Sequence, residues 1–430
     1  MKVQTNTLSN NLRVIMADTG GAESATVLLL VKAGSRYETI ENNGIAHFFE
    51  HMAFKGSAKY PDSFTISSTV EGMGGVFNAF TGKDHTGYWI KGTVDKVGLI
   101  LDVLSDMITT AKLEPVEIEK EKGVIVEEIN MYEDMPQHKV SNVYDTLLYP
   151  SHPLGMDIAG SHQTVRSFNR GHFVDYIERL YHPDNAVLII AGGIHKKMVN
   201  IQNAVQATFG KWDGHQDALK KYTYNQYSPI QAVNRLAVFT KKTEQAHFIL
   251  GYVTDYGFTD KRKYPLNIMS AILGGGMSSR LFSEIREKRG LCYYVHTSRD
   301  LYAETGSMAT SAGVRCDIAT VNEAIKLIRN EHESIANGGS DKDKLVVEVN
   351  RVKEMIKGRF LLSLEDSQSV AGFYGTKLLL EQEVMTPSDV IKHIDAVTVE
   401  QVIAEAQKII NNDALRIAVI GPFGQEEIQI

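Results

Sequence analysis

The chain has 430 residues, more than one compact core usually holds, and its length suggests two domains of about 200 residues each. Hydrophobic residues make up 43% and charged residues 23%, the balance of a globular chain rather than a disordered or fibrous one. A formal net charge of -7 and a pI near 6.1 count against a nucleic-acid surface, which needs clustered Lys and Arg, and two cysteines, Cys292 and Cys316, are too few for a disulfide framework or a cysteine-based metal site.

From the start of the chain, MKVQTNTLSN lacks the charged start and apolar stretch of a secretory signal. The longest apolar run, near residues 27–31, is too short to cross a bilayer, so a cytoplasmic protein without a membrane partner is expected. Apolar stretches at 12–16 and 25–31 read as strands, with turns at Asn10-Asn11 and Gly20-Gly21. Asn42-Asn43-Gly44 precedes a short helix over 45–54 that closes at Gly56. A helix over 64–73, strands at 76–80 and 87–92, and a helix over 95–110 follow. Pro115 opens a long charged helix running to about Asp134, which Pro136 ends. Helices at 140–148 and 162–181 lead to a buried strand at 186–191.

The second half repeats this order. Strands are expected at 235–239 and 246–252, helices at 264–273 and 280–288, strands at 291–297 and 306–313, helices from 318 to 410, and a last strand at 415–420. ATVLLLVKAG echoes AHFILGYVTD, and AVLIIAGG echoes LRIAVIGP. A recurrence at about 220 residues points to a duplicated α+β unit. The expected division is a domain over 1–211, a polar, Tyr- and Gln-rich linker over 212–233, and a second domain over 234–430.

The chemistry sits in His47-Phe48-Phe49-Glu50-His51. Two histidines at i and i+4 leave one helix face within reach of one ion, and Glu50 lies on the same side. A catalytic zinc takes three protein ligands and a water, so one ligand remains to be found. The stretch EPVEIEKEKGVIVEEINMYEDMP offers candidates. Glu121 and Glu128, seven residues apart, share a face with Ile118, Ile125 and Tyr132, and carboxylates within an apolar stripe need a compensating cation. Glu127, on a stripe with Val124 and Met131, stays open on spacing alone. The plain alternatives are a helix with core-packed histidines and a solvated Glu/Lys surface helix. His85, His138, His152 and His182 lack an i+4 partner and read as structural or solvated.

HFFEHMAFKGS, GGVFNAFTGKDHTGYW, EKEKGVIVEEINMYED and, in the second half, GGGMSSRLFSEIREKRGLCYYV together resemble the pitrilysin (inverzincin) family of zinc metallopeptidases, most closely its mitochondrial processing peptidase branch. The resemblance spans nearly the whole chain; Phe49 and Ser57 stand where relatives often differ, and neither is a ligand position. It implies two homologous α+β domains, each a mainly antiparallel sheet covered by helices. It makes His47, His51 and Glu128 the ligands of one Zn2+ per chain, Glu50 the general base and Glu121 a helper carboxylate behind the site. Asn78, with Phe77 and Ala79 beside it, would hold the substrate backbone at a sheet edge. Arg286 and Tyr293 match an Arg and Tyr pair that assists from the opposite half of an enclosed chamber. A chain of this length corresponds to half of the long pitrilysins, which implies a homodimer whose Arg286 and Tyr293 act across subunits on peptide substrates. The other reading is a non-catalytic structural or peptide-binding subunit, although such chains usually lose a ligand.

Overall fold

The computed structural model describes residues 1–213, 226–227, 234–339 and 342–430, so most of the 212–233 segment read as a linker lies outside the described residues. Strands β1 (Lys2–Thr7), β2 (Arg13–Asp18), β3 (Ser24–Val31), β4 (Val76–Thr81), β5 (Thr86–Thr93) and β6 (Ala186–Gly192) form a sheet in the order β1-β2-β6-β3-β5-β4. Its ladders are antiparallel except β2 with β6. The central strands β3 and β6 read as continuous apolar runs because both faces are covered. Val27, Leu29 and Val31 join one core cluster with Phe48 and Ile100, while Leu28, Leu30 and Ile189 join another with Val370 and Tyr374. Strand β1 escaped the sequence reading because it is an almost wholly exposed edge with no apolar alternation to betray it.

The second sheet contains β7 (Leu236–Thr240), β8 (Gln245–Thr254), β9 (Cys292–Leu301), β10 (Gly306–Arg315) and β11 (Leu415–Gly421) in the order β7-β11-β8-β10-β9. Only β7 with β11 is parallel. Leaving β1 aside, the first sheet runs β2-β6-β3-β5-β4, so the two match strand for strand, parallel pair included. The duplication read from local echoes is therefore present in the topology. The helix expected over 162–181 is two, His162–Ser167 and Arg170–Leu180; Asn169 breaks it by capping the second with its own side chain, Oδ1 accepting from Gly171 N at 2.9 Å.

Packing groups the chain differently from its order. One compact unit comprises Met1–Ile129, Asp157–Asn225 and Leu362–Met385; the other comprises Asn130–Met156, Gln226–Leu361 and Thr386–Ile430. The Ser367–Thr376 helix, from the second half of the sequence, thus covers β3 and β6 of the first sheet, where Thr26 and Ser367 share a buried hydrogen bond of 2.8 Å. Reciprocally, the Pro136–Leu148 helix covers β8 and β11, with Tyr144 among Ile249, Ala309 and Ala418. No helix among the described residues is long and apolar enough to cross a membrane.

At Gly251 on β8 the Tyr144 side chain of that helix comes close to the strand. A Cβ there would lie 2.3 Å from the Met308 carbonyl oxygen and 2.5 Å from the Tyr144 hydroxyl. Gly251→Ala is expected to destabilise the second unit by about 1–3 kcal/mol, measured as an earlier chemical-denaturation midpoint; an unchanged midpoint would show that the helix yields freely.

Candidate metal centre

The Ile45–Met52 helix begins at Gly44, which has φ 98° and so favours glycine; a Cβ there would also stand 2.7 Å from the Ala159 carbonyl oxygen. Its first turn has no side-chain cap of its own. Buried Glu38 supplies one from upstream: Oε2 accepts from Gly44 N and Asn43 Nδ2 at 2.9 Å each, and Oε1 accepts from Ala46 N at 2.8 Å. Burial pushes the Glu38 carboxyl up to about 7, against the pull of these donors. Phe48 and Phe49 then fix the rotation of the helix. Phe48 meets Phe173 edge-on at 5.0 Å and Phe49 meets Tyr181 at 4.7 Å, so His47 and His51 leave the other side with ring centroids 4.7 Å apart.

The Pro115–Asp134 helix buries Ile118, Glu121 and Ile125 and carries Glu128 to these rings. Glu128 Oε2 lies 3.7 Å from His47 Nε2 and 3.5 Å from His51 Nε2. Among the described residues, His47, His51 and Glu128 are the one group of His, Cys, Asp or Glu whose ligand atoms all come within 4.8 Å of one another. Glu127 is exposed and outside the group. A tetrahedral zinc with bonds of ~2.0–2.2 Å holds its ligand atoms ~3.3–3.5 Å apart, so the residues present fit that ion with little adjustment.

The protonation states suit a metal as well. Burial, with the His51 charge adding to it, lowers His47 to about 4, which keeps its ring neutral and a nitrogen lone pair available. His51 donates from Nδ1 to Glu121 Oε1 at 2.9 Å, leaving Nε2 toward Glu128. Burial alone would raise the Glu121 carboxyl; hydrogen bonds from His51 and Lys55, with the Lys55 charge, outweigh it and hold the group below its ordinary range.

Glu50 is half-buried on the same helix. Burial raises its carboxyl and Thr81 opposes the shift by donating from Oγ1 to Glu50 Oε2 at 2.5 Å. Among the described residues strand β4 pairs only with β5, which leaves its outer edge open there. Phe77, half-buried, meets Phe54 at 5.5 Å, Ala79 is half-buried beside it, and exposed Asn78 accepts at Oδ1 from Ala79 N at 2.8 Å. Arg286 and Tyr293 belong to the second unit. Arg286 sits in the π-helical stretch Phe282–Glu287, 5.5 Å from the Tyr293 ring at the start of β9, and Tyr293 is 75% exposed.

The four other histidines weighed from the sequence have local partners. His85 meets Phe80 edge-on, His138 stacks on Tyr132 at 4.2 Å, His152 Nδ1 accepts from Leu154 N at 3.2 Å, and His182 Nε2 donates to the Glu178 carbonyl oxygen at 2.6 Å. Two residues beside the metal group went unnoticed in the sequence, Glu38 and Thr81. Each lies outside the helix it serves and has no periodic spacing to connect it with the histidines.

Comparison with known proteins gives a consistent result. The profile described as Insulinase (Peptidase family M16) matches residues 13–162, and that described as Peptidase M16 inactive domain matches residues 167–352. A Streptomyces coelicolor protein described as an uncharacterized zinc protease is 32% identical over 99% of this chain and 91% of its own length. The chain belongs to peptidase family M16. A second zinc protease of this description, YmxG of Bacillus subtilis, is 33% identical over 97% of this M16 chain and 98% of its own. In structure, the M16 chain matches a protease from Helicobacter pylori with a TM-score of 0.89 at 23% identity, covering 98% and 99% of the two chains. It also matches a chain of complex III2 from Candida albicans with a TM-score of 0.81 at 19% identity, covering 98% and 96%. At these identities the likeness shows the fold alone, and a fold by itself carries no activity.

Replacing Glu121 by Gln keeps its shape and removes its charge from behind His51. Zinc affinity is expected to fall about 10–100-fold, read by competition with a chromophoric chelator; an unaltered affinity would show that Glu121 does not tune the ligand.

Proposed function

We propose that this chain is a zinc-dependent endopeptidase that hydrolyses peptides or unfolded segments, with His47, His51 and Glu128 holding one zinc per chain. The observation that carries the reading is the convergence of three ligand atoms within 4.8 Å beside a carboxylate, Glu50, on the same short helix. Zinc bound there would polarise the scissile carbonyl and lower the pKa of its water toward ~7.

The chain's own groups do the rest. Glu50 takes a proton from the attacking water and returns it to the leaving amine, a task for a carboxyl that burial moves toward neutrality. Glu121 holds the His51 ring in the tautomer that leaves Nε2 free. An extended peptide adds to the open edge of β4 along Phe77, Asn78 and Ala79, and is read through its main chain. Arg286 and Tyr293 donate hydrogen bonds to the carbonyl oxygen as negative charge develops on it. In this reading the chain works as a homodimer around an enclosed chamber, and Arg286 and Tyr293 serve the site of the partner subunit.

Two experiments address the parts separately. Glu50→Gln should retain zinc while the turnover of a quenched-fluorescent peptide falls by about 10²–10⁴. Retained cleavage removes Glu50 from the base role, and a folded wild-type chain that takes up no zinc favours a peptide-binding subunit. For the dimer, inactive Glu50→Gln chains are mixed with inactive Tyr293→Phe chains after dissociation. Service across subunits restores activity to about one quarter of wild type, whereas service within one chain leaves the mixture inactive.

A further inference from the structure

A general base must meet its proton within about 2.6–3.2 Å, yet a glutamate side chain has several rotatable bonds, and ordering it costs conformational entropy. Glu50 has part of that order imposed by a neighbour from another element. Thr81 is the last residue of β4, and strand alternation puts it on the same face as Phe77 and Ala79, toward the Ile45–Met52 helix. Its hydroxyl donates to Glu50 Oε2 at 2.5 Å, which leaves Oε1 as the oxygen free to receive a proton.

The position of Thr81 is itself fixed from behind. It pairs with Thr86 across the β4–β5 hairpin, and the Thr86 hydroxyl donates to the Ala33 carbonyl oxygen at 2.6 Å. The hairpin loop docks on the next residues of that same segment. Ser35 N donates to the Gly82 carbonyl at 3.1 Å and Arg36 N to the Lys83 carbonyl at 3.0 Å. Buried Arg36 donates from Nη1 to Asp84 Oδ1 at 2.5 Å. Gly34 makes the approach possible, since a Cβ there would lie 2.2 Å from the Lys83 carbonyl oxygen. Two residues beyond Arg36, Glu38 caps the Ile45–Met52 helix. One turn of chain therefore grips both the hairpin that carries Thr81 and the helix that carries Glu50.

We propose that Thr81 is the positioning residue of Glu50, holding one carboxylate oxygen so that the other faces the attacking water, with the Gly34–Glu38 turn setting the distance between hairpin and helix. The inference rests on Glu50 being the base. It differs from a substrate-binding role for Thr81, which would act on peptide affinity, and from a packing role, which would act on stability.

Thr81→Val removes the hydroxyl, keeps the shape, and suits a strand position that is half-buried. Zinc affinity and KM are expected to stay within twofold of wild type and the melting temperature within about 2 °C, while kcat falls about 10–100-fold, the loss typical of a hydrogen bond to a charged group. Thr81→Ser, which restores the donor, is expected to recover most of kcat. A wild-type kcat in Thr81→Val, a rise in KM with kcat unchanged, or failure of Thr81→Ser to recover activity overturns the proposal. Glu50→Gln, assayed beside them, separates the two levels. If it still cleaves, the base assignment has failed; if it is inactive while Thr81→Val is fully active, only the positioning role has failed.

Discussion

Atoms that all offer lone pairs or negative charge repel one another when they converge without a cation, so gathering His47, His51 and Glu128 costs free energy that surrounding structure must supply. The supply comes from the opposite faces of both helices. Phe48 and Phe49 anchor the short helix in the core, and Ile118 and Ile125 anchor the long one, so neither can rotate its polar side away without exposing buried apolar surface. Glu121 adds a second restraint, since its carboxylate is shared between His51 and Lys55. The ligand group is thus a by-product of packing that leaves the two helices one relative orientation.

Much of this could be read from the residues alone, and the reason is periodicity. His47 and His51 are joined by a helical turn, and Glu121 and Glu128 by two, so spacing relates each pair without knowledge of the fold. The choice of Glu128 over Glu127 lay beyond spacing, because adjacent residues on a helix differ only by which face is buried, and burial is a property of what packs against it. Resemblance to a family made that choice; in the structure the carboxylate that comes within 4.8 Å of both histidines is that of Glu128. Strand β1 was invisible for the opposite reason, being an exposed edge in which nothing alternates. Glu38 and Thr81 reach the site from a loop and a strand end, where position follows from backbone docking at Gly34, Gly44 and Gly82 rather than from any pattern along the chain.

Strand β4 shows how one element serves two purposes without conflict. Its side chains alternate between two faces, Phe77, Ala79 and Thr81 on one, Val76, Asn78 and Phe80 on the other, while its unpaired main-chain groups point along a third direction in the plane of the sheet. Contact with the Ile45–Met52 helix is made by the first set, and the edge left unpaired among the described residues is where the proposed peptidase would take an extended peptide. Short length and a tightly docked hairpin also limit the exposure that makes open edges prone to unwanted pairing.

The reciprocal exchange of the Ser367–Thr376 and Pro136–Leu148 helices bears on how the chain is made. Strand β6 completes the first sheet at Gly192, but the apolar face formed by Ile15, Leu28, Leu30, Val187 and Ile189 receives its cover only when Val370, Ala371 and Tyr374 have emerged from the ribosome. At ordinary rates of synthesis that is a wait on the order of ten seconds or more. For that interval the nascent first half presents a greasy surface with no native partner yet in existence, and a gene encoding it alone would leave the surface bare indefinitely.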